Sequence, residues 1–160
     1  SEMPGTVPAI GKVEDALKAA LQAWPALAGQ TIITDQSVDE AVTEDQYPAV
    51  LIYTVAYRPD VADENWMSLH EAIVEFEAVD TTQTIGTISR ANHTTIAHIL
   101  GCIAADRSLG GMLQDIQEID VAPAQPNGRD VGSASLQCRV QFYTPREDWF
   151  TIKGAGGAEF

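Results

Sequence analysis

Residues Leu69 to Val79, Leu-His-Glu-Ala-Ile-Val-Glu-Phe-Glu-Ala-Val, carry the pattern on which the fold turns. His70, Ala72, Val74, Phe76 and Ala78 fall on one side of an extended chain, and Glu71, Glu75 and Glu77 fill most of the other. Period two with that polarity predicts a strand with one buried face and one wet face. Ser133 to Thr144 repeats the pattern, with Ala134, Leu136, Cys138, Val140 and Phe142 inward and Gln137, Arg139 and Gln141 outward, and Pro145 ends it. Tyr47 to Tyr57 is apolar on both sides, which predicts a central strand covered on both faces and ended by Pro59 and Asp60. Thr31 to Thr34 is a short β-branched piece, and Met112 to Val121 alternates more loosely through Leu113, Ile116, Ile119 and Val121.

Two segments have helical rather than strand spacing. From Ile10 to about Ala28, Val13, Ala16, Leu17, Ala20, Leu21 and Trp24 recur every three or four residues. Pro25 disfavours helical geometry at Trp24, so the helix kinks or ends there, with a further turn closing at Gly29. Ile96, Ile99, Leu100, Ile103 and Ala104 line a second helix, with Asn92 or Thr94 as its N-cap and Gly110-Gly111 closing it after a turn at Asp106 to Leu109. Asp80 to Asn92 reads as a polar connection, and Pro123, Pro126, Asn127 and Gly128 as a turn. Asp35 to Gln46 and Asp60 to Glu64 read as acidic surface loops. The order predicts an α+β fold, mainly antiparallel sheet with two principal helices packed on one face. A single domain over residues 1–160 is expected, with 1–9 and the Gly- and Ala-rich 153–160 flexible. Val74, Phe76, Ile99, Leu100, Ile103, Val140 and Phe142 form its expected core.

At 160 residues such a domain buries roughly 70% of its unfolded surface, enough for a core without staples. Hydrophobic residues at 45% and charged residues at 20% argue against disorder. The formal net charge is −14, from 23 Asp and Glu against 9 Lys and Arg. Binding to a nucleic-acid backbone or to an anionic membrane is built from clustered Lys and Arg, and Arg139 and Arg146 stand isolated, so neither partner is expected. Cys102 and Cys138 lack paired spacing and read as buried thiols in a reducing compartment. No run of about 18 apolar residues and no leader pattern occurs, which predicts cytoplasmic synthesis.

Catalytic and metal chemistry is not expected. His93 and His98 lie five residues apart, whereas paired ligands on a helix need three or four. Glu71, Glu75 and Glu77 share a strand face and read as a solvated surface rather than an acid pair. Ser108-Leu109-Gly110-Gly111 lacks the flanking glycines of a nucleophile elbow and the lysine of a phosphate loop. No cofactor and no metal is implied.

Several pieces in order resemble the tail terminator and tail-completion proteins of long-tailed bacteriophages and prophages. They are the leading amphipathic helix, Asp45-Gln46-Tyr47-Pro48-Ala49-Val50-Leu51-Ile52, and His70-Glu71-Ala72-Ile73-Val74-Glu75-Phe76. Asp106-Arg107-Ser108-Leu109-Gly110-Gly111-Met112-Leu113 and Cys138-Arg139-Val140-Gln141-Phe142-Tyr143-Thr144 complete the series, which spans Val13 to Arg146. The resemblance implies a structural virion protein that forms a ring, typically hexameric, stops tail-tube polymerisation and presents a surface to the head connector. It implies tube protein, connector protein and further copies of the chain as partners, with residence in the host cytoplasm and then the virion tail. The acidic segments depart from the family pattern, and their residues Asp35, Asp39, Glu40, Glu44, Asp60, Asp63 and Glu64 are the candidates for channel or docking surfaces. Acidic channel walls would repel DNA and let it slide. A neck connector or stopper of similar size, and a small-molecule-binding α+β domain or enzyme, are the alternative readings.

Overall fold

The computed structural model describes residues 7–34, 42–64, 67–81, 85–126 and 131–160, with 44, 60–64, 85–89, 124–126 and 131 described by backbone alone. Two helices, α1 (Ala9–Ala23) and α2 (Ile85–Ala105), accompany five strands: β1 (Thr31–Ile33), β2 (Ala49–Glu64), β3 (Met67–Thr81), β4 (Asp115–Pro126) and β5 (Val131–Pro145). The strand order is β1-β2-β3-β5-β4. Only β1 and β2 run parallel; every other neighbour is antiparallel. This is the expected α+β class.

The strict alternation at Leu69–Val79 places β3 at the centre of the sheet. It pairs with β5 without a break from Met67↔Pro145 to Thr81↔Val131, so Phe76 faces the same side as Leu136, and His70 the same side as Phe142. Val74, Phe76, Ile99, Ile103, Val140 and Phe142 are buried together as expected. Leu100 is the exception and stays half-buried. On α1, Ala9, Val13, Leu17 and Leu21 form the buried stripe. The helix ends where Pro25 forces Trp24 into an extended conformation, and Pro25–Leu27 forms one 3-10 turn.

Several expectations are corrected. First, β2 lies between two strands only where β1 pairs it, from Ala49 to Leu51, and it is not covered on both faces, since Leu51 and Tyr53 are half-exposed on the side without helices. Second, β2 does not stop at Pro59, and Asp60 to Glu64 is no loop: the strand runs to Glu64 and pairs Asp63 with Ser68 and Glu64 with Met67. Proline is tolerated there because β1 covers β2 only from Ala49 to Leu51, and Pro59 lies in a register shift between Arg58 and Ala62.

Third, α2 begins at Ile85, not at Asn92. Asn92 is buried inside the helix and donates its side-chain N–H to the Gly132 carbonyl on β5 at 2.9 Å. The Thr94 and Thr95 hydroxyls donate to the carbonyls of Arg90 and Ala91, four residues back. Residues with such local options look like caps in sequence, and packing against the sheet overrides that preference. Likewise β4 continues past Val121 to Pro126, since an edge strand can hold Pro123.

Fourth, residues 153–160 fold back onto the sheet instead of trailing away. Lys153 donates its N–H to the Tyr143 carbonyl, Ala155 to Gly111, and Ile152 and Phe160 exchange a pair of backbone bonds. Between them lies a 3-10 turn at Ala155–Gly157. At the other end, Ala9 donates its N–H to the Trp149 carbonyl, which satisfies one of the orphan amides of a helix without a side-chain cap. Residues 1–6 lie outside the described part.

Candidate functional site

Three surfaces carry the polar and apolar features from which a function can be argued. The first is the sheet face without helices. Glu75 accepts hydrogen bonds from the Tyr53 hydroxyl on β2 and from Gln137 on β5 at 2.8 Å, and Glu71 accepts from Gln141 at 3.1 Å. Two carboxylates of the row expected to be solvated, Glu71 and Glu75, are thus acceptors in a cross-strand ladder. Burial, then the bond to Glu75, raises the Tyr53 pKa. Burial, then the charge of Glu75, raises the carboxyl pKa of Glu77 above its ordinary 4.5.

The raised value has a consequence for stability. Folded Glu77 holds its proton more tightly than unfolded Glu77, so the contribution of this one group to stability is fully present below pH 4.5 and is lost as pH rises through the higher folded value. Glu77→Gln is therefore expected to stabilise the protein at pH 7, with the gain vanishing near pH 4. Urea unfolding at the two pH values measures this, and equal stability at pH 7 would mean that the carboxylate is solvated after all.

The second surface is an aromatic corner where the ends of β2, β3 and β5 meet. His70 is fully buried, stacked on Phe142 with centroids 5.1 Å apart, and edge-on to Trp149 at 5.4 Å. Tyr57 stacks on the inner side of Trp149. The Thr144 hydroxyl donates to the Pro145 carbonyl at 3.0 Å, so its oxygen accepts from His70 Nε2–H at 2.8 Å. That tautomer leaves Nδ1 to accept from the Tyr57 hydroxyl at 2.8 Å, and burial pushes Tyr57 up to about 12. The imidazole is a satisfied core group whose two nitrogens are engaged within the protein. Trp149 and Phe150 beside it remain 46% and 43% exposed. The turn that carries them has Glu147 at φ 64°, and Asp148 accepts the Phe150 N–H at 2.9 Å. Lys12 of α1 donates to the carbonyls of Phe150 and Phe160. A broad, shallow depression of about 720 Å³ lies alongside, bordered by Ser68, Arg146 and Glu147.

The third surface is a groove of about 550 Å³ between α2 and the edge strand β4, lined by Ile96, Ala97, Leu100, Ile119, Val121 and Leu136. It exists because β4 carries one extra residue: Glu118 pairs with Cys138 and Asp120 with Gln137, leaving Ile119 outside the ladder. Val121 then sits opposite Leu136 on the helix-bearing face, yet α2 leaves it 48% exposed while Leu136 is 1% exposed. Ile119 is 42% exposed. The sequence groups both with Leu113 and Ile116 in one loose alternation, and the bulge that reorders it has no local signal.

No protein-family model matches the chain, and no curated protein matches it. The chain's own surfaces are therefore the basis for a functional reading. Among the described residues no group of three His, Cys, Asp or Glu side chains converges as a metal site would. His93 stands at the lip of the groove and His98 is exposed on α2. Cys138 is buried, with its thiol pushed up to about 12, which makes it an inert thiol. No helix among the described residues is long and apolar enough to cross a membrane.

Of the seven acidic candidates, Asp35, Asp39 and Glu40 lie outside the described residues. Glu44 opens a 3-10 turn, Glu44–Gln46, closed by a capping box with Thr43. Asp60, Asp63 and Glu64 belong to the far end of β2, paired with the start of β3 where pairing is described. The groove and the exposed aromatic pair were not among the sequence candidates.

Proposed function

We propose that this protein is a structural assembly component of a long-tailed phage or phage-derived particle, a ring that closes the tail tube and offers the head connector its joining surface. The observation that carries this reading is the open apolar groove along the edge of the sheet. A soluble acidic chain that leaves Ile119 and Val121 uncovered beside a half-buried Leu100 has a surface suited to another protein. The antiparallel sheet with helices on one face is also the architecture that the family resemblance implies. The acidic excess suits a particle component that lets DNA slide past.

Native mass spectrometry of the purified chain, alone and with tail tube protein, tests the reading. The expected result is a closed oligomer, six copies in the simplest case, that caps tubes and halts their growth. Binding to the portal complex in place of the tube would reassign the protein to the neck. A monomer that leaves tube growth unaffected would sink the assembly reading.

A further inference from the structure

The groove between α2 and β4 and the exposed pair Trp149 and Phe150 are unlike surfaces on different parts of the sheet. The groove follows the β4 edge, whereas Trp149 packs on Tyr57 of β2 and His70 of β3. With β5 and β3 between β4 and β2, the two surfaces are separate on one chain. We infer that they are the two halves of one heterologous contact, in which Trp149 and Phe150 of one copy seat in the α2/β4 groove of the next. The inference rests on the ring reading and names the surfaces that make the ring.

Three observations select this occupant. The edge strand is a poor template for another strand, because Pro123 and Pro126 lack N–H donors and two register shifts interrupt the ladder. The groove therefore takes side chains rather than backbone. Trp149 and Phe150 are the exposed aromatic neighbours on a described turn, and Trp149 is held in place by its stack on Tyr57, so little side-chain freedom is lost on docking.

Charge gives the third observation. Two copies of a chain at −14 repel, so their contact must join surfaces of balanced charge. Beside the aromatic pair Lys12 and Arg146 stand with Glu147 and Asp148, and Lys153 pairs with Glu159 in the segment that follows, so this part of the surface is nearer to neutral than a chain with 9 cationic and 23 acidic side chains would be on average. On the groove's lip Arg107 pairs with Glu118 at 2.9 Å, and Asp120 stands beside them, a carboxylate suited to the cations flanking Trp149. A contact between unlike patches does not close on itself as a two-fold dimer does, and repeated around an axis it generates a ring.

The test uses one variant for each half. Val121→Arg fills the groove with charge at an exposed position, and Phe150→Asp disrupts the aromatic pair without touching the Tyr57 stack. Each variant alone is expected to keep the wild-type melting behaviour and to raise the midpoint of self-association by roughly 30-fold or more, the effect of losing a central anchor. An equimolar mixture should form mixed dimers and nothing larger. The intact groove of Phe150→Asp accepts the intact aromatic pair of Val121→Arg, and the chain of contacts then ends. If wild type forms rings while either variant assembles normally, or the mixture stays monomeric, the contact lies elsewhere and the ring reading survives. If wild type remains monomeric both alone and with tube protein, the ring reading and this contact fall together.

Discussion

Phe142→Ala and Phe76→Ala are each expected to destabilise the protein by about 3–5 kcal/mol, the cost of an unfilled cavity in a core that relaxes only partly. Both rings are fully buried. Phe76 lies opposite Leu136 at the middle of the β3–β5 ladder, where neighbours on both strands hold the backbone and collapse around the void is hindered. Phe142 adds a second loss, because its ring is the platform on which His70 stacks and an edge partner of Tyr57. Truncating it leaves the imidazole without apolar support on one face while its two hydrogen bonds still have to be satisfied. Denaturant unfolding measures both, and the loss should appear in the midpoint with the slope unchanged. Costs under about 1 kcal/mol at both positions would mean that the opposite face of the sheet is the buried one, since a one-residue slip exchanges the faces.

Gly154→Ala is the second large effect, expected at about 1–3 kcal/mol by overpacking. The backbone conformation at Gly154 is extended and open to any residue, so the reason is contact, not torsion. A β-carbon there would meet the Gly111 carbonyl oxygen at 2.4 Å and the Phe160 ring at 2.5 Å. The ring can swing aside, but the carbonyl is held in the turn after α2. That turn is itself fixed by the Asp106 carboxylate, which accepts the N–H groups of Ser108 and Gly110 at 3.0 and 2.7 Å. The strain should release by detaching residues 153–160, breaking the bonds from Ala155 to Gly111 and from Lys153 to Tyr143. Amide exchange at Ala155 and Phe160 should accelerate while exchange in β3 and β5 does not. Gly29→Ala is the control, because a β-carbon there meets nothing within 4 Å, and it should be neutral or stabilise by about 0.4–1 kcal/mol. Equal effects at the two glycines would show that the close approach at Gly154 is not what holds the segment.

These two sites differ in how far local sequence reveals them. The buried faces of β3 and β5 were legible because four apolar positions and His70 in β3, and five apolar positions in β5, repeat at period two against mostly polar partners, and only one strand orientation buries them all. The α1 stripe of Val13, Leu17 and Leu21, and its end at Pro25, were legible for the same reason, since spacing and torsion are local properties. From them the α+β class and most of the core followed.

Wherever the outcome depends on a neighbour distant in sequence, the same chain was silent. Pro59 ends a strand only if that edge is paired, and β1 is too short to pair it. Asn92 caps a helix only if no buried carbonyl claims its side chain, and Gly132 on β5 does. The glycines of the last eight residues read as slack, although Gly154 is the residue that permits close approach to Gly111. The groove and the exposed aromatic pair belong to this second group. Whether Val121 and Trp149 are covered is set by where α2 and the Tyr57 stack come to rest, and alternation along a strand records only which side a residue faces, not whether anything lies over it.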